Sequence, residues 1–349
     1  MGPDLLHHWL GSLKSLPILD AASVSEAREW VRAEGAAAGL DKVVIESLVL
    51  AMSELGHNQL VHAGGGSVAV TRVERSGVPG LEIIAADQGP GIRDPAAGLL
   101  DRPSLSAMSP PAGAGSGSLQ AGLAAVRRLT EEVDIDVRWG EGSCVRVRRF
   151  ASPMPRRREV AVLGRALPGE RISGDDAGVV RHGDTLILGV ADGLGHGLEA
   201  REPSALAVDT LLQHAHEAPC DLLERCHREL QGTRGAMMTV VHIDEARQEI
   251  EHSGAGDVSA RICRYRDERR LGGTARTLGR AELRPRPCRP DKAELQGGDV
   301  VVLFTDGLSS RLTLAETPGL LREHPILIAQ QLMLSFARDN DDALIVVAR

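Results

Sequence analysis

Aromatic side chains are nearly missing from this chain: three Trp, one Tyr and three Phe among 349 residues. Its cores must therefore be assembled mainly from Leu, Val, Ile and Ala, within an apolar content of 42% that supports sizeable cores. Cysteine is sparse too. The five, Cys144, Cys220, Cys226, Cys263 and Cys288, are odd in number and lack CxxC spacing. That argues against a disulfide framework or a zinc site and fits a reducing compartment. No apolar run is long enough to span a bilayer, and the N-terminus lacks a basic segment followed by an apolar leader. A cytoplasmic protein with no membrane partner is expected. Excess positive charge is also absent: the formal net charge of −8 argues against a nucleic-acid groove. Arg156-Arg157-Arg158 and Arg269-Arg270 read instead as solvated linker and loop charges.

The length exceeds that of a typical domain, so two are expected. Ala151-Ser152-Pro153-Met154-Pro155, followed by three arginines, interrupts two β-like runs. It reads as an exposed linker over 151–158, between a domain over 1–150 and another over 159–349. Ser104–Ser118, rich in Ser, Pro, Ala and Gly, reads as a mobile functional lid.

Four acidic stops mark the second half: Ser173-Gly174-Asp175-Asp176, Ala191-Asp192-Gly193-Leu194-Gly195-His196-Gly197, Phe304-Thr305-Asp306-Gly307 and Asp339-Asn340-Asp341-Asp342-Ala343. One Asp-Gly is only a turn signal. Several carboxylates at strand ends, with glycine beside them, suit hard divalent cations, which prefer oxygen ligands and accept a backbone carbonyl. Thr185–Ala191, Val300–Thr305 and Leu344–Val347 read as buried strands, and Leu198–Ala218 and Pro325–Phe336 as covering helices.

In order and wording these stops resemble the metal-dependent PPM (type 2C) phosphatases from about Val160 to the C-terminus. They are closest to the SpoIIE-like branch, which acts on phosphoserine of STAS-domain regulators. The resemblance implies two Mn²⁺ or Mg²⁺ ions activating a water for in-line attack at phosphorus. It implies that Asp192 bridges both ions and the Gly193 carbonyl binds one. Asp306 and Asp341 would complete the second, while Asp175 would act through bound water. Asp339 and Asp342 stay open as alternatives to Asp341. Family sites are all-oxygen, so His196 is read as a turn or substrate-side residue, and Ser253–Asp257 as a hairpin turn.

In the first half, residues from about Asp20 to Ala63 read as two helices, the second burying Ile45, Leu48, Val49, Met52 and Leu55. Glu54 and Asn58 are four apart and share a face. Glu54-Leu55-Gly56-His57-Asn58, His62-Ala63-Gly64-Gly65-Gly66, Asp87-Gln88-Gly89-Pro90-Gly91 and the stretch Gly122–Leu129 follow in order. Over Ala21 to Phe150 they resemble the GHKL ATPases, specifically the anti-sigma and switch-protein serine kinases. That resemblance implies Glu54 as base or water-orienter, Asn58 on Mg²⁺, and Asp87 on the adenine amino group of ATP. Gly89 and Gly91 would allow close nucleotide approach, with Gly122 at the phosphate loop. Gly117-Ser118-Leu119-Gln120-Ala121-Gly122 departs from the family's alternating glycines, with Gly113, Gly115 and Gly117 just upstream. Arg127 and Arg128 are read either as partner-facing or as plain helix-surface charges.

The expected fold class is α/β: a GHKL-type α/β sandwich followed by a PPM-type α-β-β-α sandwich. The expected protein is a bacterial signalling phosphatase for a phosphorylated STAS-domain antagonist, fused to an ATP-binding serine kinase-like domain. The alternative makes the first domain a non-catalytic docking module for a STAS protein, sigma factor or related switch protein.

Overall fold

The structure, a computed structural model, describes residues 5–95, 116–280 and 288–349. It divides into two compact units, one ending at Glu159 and the other beginning at Val160, and residues 151–159 carry no helix or strand.

The first unit runs α1 (Leu5–Leu10), β1 (Ser15–Ile18), α2 (Ala21–Ala37), α3 (Lys42–Asn58), β2 (Gly66–Arg75), β3 (Val78–Asp87), α4 (Ser116–Leu129), β4 (Glu132–Trp139) and β5 (Gly142–Phe150). Its strands form an antiparallel sheet in the order β1-β2-β3-β5-β4, with α2, α3 and α4 packed together. Asp20 starts α2 with a capping box: its carboxylate accepts the Ser23 N–H at 2.8 Å, and the Ser23 hydroxyl accepts the Asp20 N–H at 3.0 Å. Asp41 caps α3 by accepting the Val44 N–H. The buried stripe of α3 is Val44, Leu48, Val49, Met52 and Leu55, while Ile45 is half-buried against Gly35. The helix then widens into a π turn over Gln59–Ala63 and stops at Gly64, whose φ of 73° is the left-handed conformation glycine tolerates. The Gln59 amide donates to the Ala86 carbonyl at 2.9 Å, fixing the end of α3 beside Asp87.

The second unit continues with β6 (Val160–Arg165), β7 (Asp175–His182), β8 (Thr185–Gly193), α5 (Leu198–Gln213), α6 (Pro219–Glu229), β9 (Ala236–Asp244), β10 (Glu249–Ala255), β11 (Ser259–Arg264), β12 (Asp267–Leu271), β13 (Asp291–Glu294), β14 (Val300–Phe304), α7 (Pro325–Phe336) and β15 (Ala343–Ala348). One sheet is ordered β13-β10-β9-β8-β7 and the other β6-β15-β14-β11-β12. Leu186, Leu188, Val190 and Val241 of the first share a core with Val162, Val301, Leu303 and Val346 of the second. On the outer face of the first sheet, Val208, Leu211, Leu222 and Leu223 of α5 and α6 pack on Ile187, Met238 and Val240. Helix α7 packs on β6 and β15, which completes an α-β-β-α sandwich. Aliphatic residues fill nearly all of it, as the shortage of aromatics requires.

Two expectations change here. The helix expected over Leu198–Ala218 ends at Gln213, and a second begins with Pro219 at its first turn, where proline needs no N–H partner. Cys220 and Cys288 are joined as a disulfide with Cα atoms 5.6 Å apart, whereas sequence spacing had argued against any such pairing. Their separation of 68 residues hides the pairing from any local pattern. Cys144, Cys226 and Cys263 are free and buried.

His252 lies in the core of the second unit, its Nε2 2.6 Å from the Thr239 hydroxyl, and burial pushes its pKa down to about 4. The unfolded chain takes up this proton near the ordinary 6.5, so the folded state loses stability as pH falls from 6.5 toward 4. The full effect is roughly 3 kcal/mol. Urea unfolding between pH 7 and 4.5 should therefore show a shallower acid loss for His252→Gln than for the parent. Identical slopes would refute this assignment.

Candidate functional site

Strand register assembles the acidic residues. Asp175 opens β7 rather than closing a strand, and the β7–β8 ladder sets it directly across from Asp192, which makes their side chains neighbours. Strand β14 ends at Phe304 and pairs with Ile345 of β15, so Asp306 and Asp341–Asp342 leave the second sheet at one end. Ala255, ending β10, pairs with Met238, which in turn pairs with Ala191. This brings out Asp257, a residue read from sequence as part of a plain hairpin turn. In sequence its stretch, Ser253-Gly254-Ala255-Gly256-Asp257, also resembles a segment of the phosphatase family, but a hairpin turn accounts for it equally.

The electrostatics follow from this crowding. Burial, then the negative charges of Asp306, Asp341, Asp342 and Asp257, push the Asp192 carboxyl up to about 8. Burial and Asp192 push Asp175 well above the carboxylate range. Asp306 is raised by burial, Asp341 and Asp257. Buried carboxylates that repel one another in this way are the donor set that bound cations would satisfy.

Hydrogen bonds separate the residues that sequence left ambiguous. Asp342 accepts backbone N–H groups from Leu167 at 2.6 Å and Gly174 at 2.8 Å, so it clamps two segments together. Asp339 is fully exposed and 3.8 Å from Arg165. Asp341 adjoins the cluster and accepts the Asp342 N–H. Asp175 accepts the Thr305 hydroxyl at 2.7 Å, whereas Asp176 faces the buried Arg201 guanidinium at 3.6 Å. Among the described residues, no three acidic, His or Cys side chains close round one point as a full ligand shell.

The glycines of both Asp-Gly pairs are fixed by packing. A Cβ on Gly193 would run into the Ala200 carbonyl of α5, and one on Gly307 into the Asp342 carbonyl. His196 sits on the rim, its Nδ1 2.8 Å from Glu170. A separate cleft of about 750 Å³ includes Thr185, Asp244 and Glu249, at the opposite ends of these strands from the cluster. Its Lys292 and Arg269 are already paired with Glu251 and Asp291, and it contains none of the expected site residues.

In the first unit, Asp87 accepts the Gly89 N–H and the Ser143 hydroxyl, both at 2.9 Å, and burial raises its pKa. Glu54 and Asn58 face Gly122: a Cβ there would lie 3.1 Å from Asn58 Nδ2 and 3.2 Å from Glu54 Oε2. Asn58, His62 and Asp87, with Leu55, Ile92 and Leu123, line one pocket of about 50 Å³. A Cβ on Gly89 would meet Ala63, and one on Gly91, at φ 75°, the Arg138 carbonyl, so packing demands a glycine at both positions. One expectation is corrected: Gly117–Gly122 lies within α4 instead of forming a loop before it. The expected lid, over Ser104–Ser118, falls mostly outside the described residues.

Comparison with known proteins agrees with both halves. Residues 19–149 match the histidine kinase-like ATPase domain, and residues 182–349 match stage II sporulation protein E. Through its first unit the chain belongs to the histidine kinase-like ATPase family, and its second unit is similar to the SpoIIE family. It is similar to the serine/threonine-protein kinase RsbT of Bacillus subtilis, 34% identical over 126 residues, covering 36% of this chain and 87% of RsbT. It is also similar to the phosphoserine phosphatase RsbX of the same organism, 27% identical over 141 residues, covering 40% of this chain and 70% of RsbX. A solved structure of the bacterial stressosome, described as a modular system adapted to control secondary messenger signalling, aligns with a TM-score of 0.52 and 26% identity. That alignment covers 55% of this chain and 99% of the other. The chain thus joins a SpoIIE-type phosphatase domain to a kinase-like ATPase domain. Among the described residues no helix is long and apolar enough to cross a membrane.

Proposed function

We propose that the second unit is a Mn²⁺- or Mg²⁺-dependent phosphatase for phosphoserine or phosphothreonine on a STAS-domain regulator. The observation that carries this reading is the convergence of Asp175, Asp192, Asp257, Asp306 and Asp341 at one edge, with Asp192 pushed up to about 8. Asp192 and the Gly193 carbonyl, with Asp306 and Asp341, would hold two ions, and Asp175 would orient bound water. Asp257, whose charge acts on Asp192 and Asp306, would add negative charge for a further cation. Such ions supply an activated water and neutralise charge on the phosphoryl oxygens. Thr305 holds Asp175 in place, and Asp342 joins the 167–174 segment to the end that bears Asp341. Asp175 and the end that bears Asp341 are therefore tied in place by the chain's own hydrogen bonds. RsbX, a phosphoserine phosphatase, supports the substrate class.

For the first unit we infer an ATP-binding serine kinase. Glu54 and Asn58 stand against Gly122, Asp87 lies in the adjoining pocket, and RsbT is a serine/threonine kinase. On this reading Glu54 is the base, Asn58 holds Mg²⁺ and Asp87 holds the adenine. The narrow pocket and the helical Gly117–Gly122 segment favour a second reading, a docking module for a STAS protein or sigma factor. Calorimetric titration of Mg·ATP into the full chain separates the two. The kinase reading expects binding that falls at least about tenfold in Asp87→Asn, because the adenine amino group would lose a charged acceptor. No heat of binding from the folded protein would favour docking.

A further inference from the structure

The turn from Asp192 to Gly197 carries a guanidinium that the metal chemistry does not use. Arg234 precedes β9, and its Nη1 lies 3.2 Å from where a Cβ on Gly195 would stand. Gly195, at φ 104°, has no side chain to fill that space. Hydrogen bonds fix the Arg234 backbone to this turn. The Gly235 carbonyl accepts the Leu194 N–H at 3.1 Å, and Arg280 Nε donates to the Arg234 carbonyl at 2.8 Å. The Gly235 N–H is held by the Thr233 hydroxyl at 3.0 Å. Next to it, Ala236 pairs with Gly193 in the β8–β9 ladder. Arg234 therefore moves with the residues that follow Asp192.

Its charge has only a weak claim on it. Arg234 pairs with Glu199 in the first turn of α5, and the two side chains are 50% and 71% exposed. A pair so exposed contributes little and exchanges easily. Two other described arginines near the cluster differ from Arg234 in burial and position. Arg201 is buried against Asp176 and the Ser173 and Asp175 carbonyls. Arg338 stands on the β14 side, its N–H on the Gly307 carbonyl and its charge acting on Asp306. A phosphomonoester arrives as an anion at an edge crowded with carboxylates, where a cation outside the ion shell would help draw it in. A guanidinium meets two phosphoryl oxygens with its planar fork.

We propose that Arg234 binds the phosphoryl group of the incoming phosphoserine and that Glu199 is the resting counter-ion it leaves to do so. This rests on the phosphatase reading and names the residue that recognises its substrate.

The test uses the full-length protein with Mg²⁺ or Mn²⁺. It measures steady-state hydrolysis of p-nitrophenyl phosphate and of a phosphoserine peptide, and calorimetric binding of inorganic phosphate. Arg234→Ala should raise KM and weaken phosphate binding about 10–100-fold, with kcat changed far less. Arg234→Lys should recover part of the loss, since it restores the charge without the fork. Glu199→Gln should lower KM about twofold to fivefold. The thermal midpoint of each variant should match the parent, because all three side-chain changes are at the surface. An Arg234→Ala protein with parental KM and phosphate affinity overturns the proposal. A folded parent without divalent-ion-dependent turnover overturns instead the phosphatase reading beneath it.

Discussion

Asp192→Asn is expected to lower divalent-ion-dependent phosphatase turnover about a thousandfold while leaving the second unit folded. Losing a group that merely orients a metal ligand costs roughly 10–100-fold, and a ligand proposed to serve two ions should cost more. The variant carries an opposite second effect. Burial, then Asp306, Asp341, Asp342 and Asp257, hold the Asp192 carboxyl at about 8, so folding near neutral pH must protonate it. An amide of the same shape removes that cost. In EDTA the unfolding midpoint should therefore rise by a few degrees, since roughly 1 kcal/mol moves a domain of this size by about 2–4 °C. Added Mn²⁺, which should stabilise the parent by binding only its folded state, should stabilise the variant far less. Differential scanning fluorimetry with and without Mn²⁺, beside a turnover assay, checks both halves. Equal turnover, or a lower midpoint in EDTA, would remove Asp192 from the centre of the site.

Gly193→Ala should be among the most damaging single methyl groups in the second unit. Its Cβ would overlap the Ala200 carbonyl, which is backbone of α5 and cannot swing aside as a side chain can. Overpacking of this kind costs typically 1–3 kcal/mol, occasionally more. Here either α5 or the Asp192 turn must shift, so a loss of about 3 kcal/mol or more is expected. Gly307→Ala should behave alike, against the Asp342 carbonyl. Gly195→Ala, whose neighbour is only the Arg234 side chain, should fold, though its φ of 104° adds strain. Urea midpoints of the three variants give the ranking. Full parental stability in Gly193→Ala would show that the helix and turn pack less tightly than described.

The second half was the more legible in sequence because its chemistry sits on strand ends. Val300–Thr305 and Leu344–Val347 are continuous apolar runs that stop at Asp306 and start after Asp342, so position and chemistry coincide in the sequence. Asp175 was legible as an acidic residue but not as the first residue of a strand. Asp257 was hidden because only the β10–β9–β8 register brings it near Asp192. Asp339, Asp341 and Asp342 differ in partners that the sequence does not show, Asp342 accepting N–H groups from Leu167 and Gly174, more than 160 residues away. In the first half, α3 announced itself by apolar spacing and by Asp41, but the π turn at Gln59–Ala63 carries no such pattern. Gly89 and Gly91 were noticed for a nucleotide, whereas Ala63 and the Arg138 carbonyl already account for them. Glycine patterns report that something comes close; they do not report what.

The central claim is that the carboxylate edge of the second unit is a divalent-ion phosphatase site. The measurement that tests it most directly is hydrolysis of a phosphoserine peptide by the full chain in Mn²⁺, in Mg²⁺ and in EDTA. Turnover that appears with either ion, disappears in EDTA and returns when the ion is restored is the predicted result. Turnover undiminished in EDTA, or none in Mn²⁺ and Mg²⁺ from a folded protein, would contradict it.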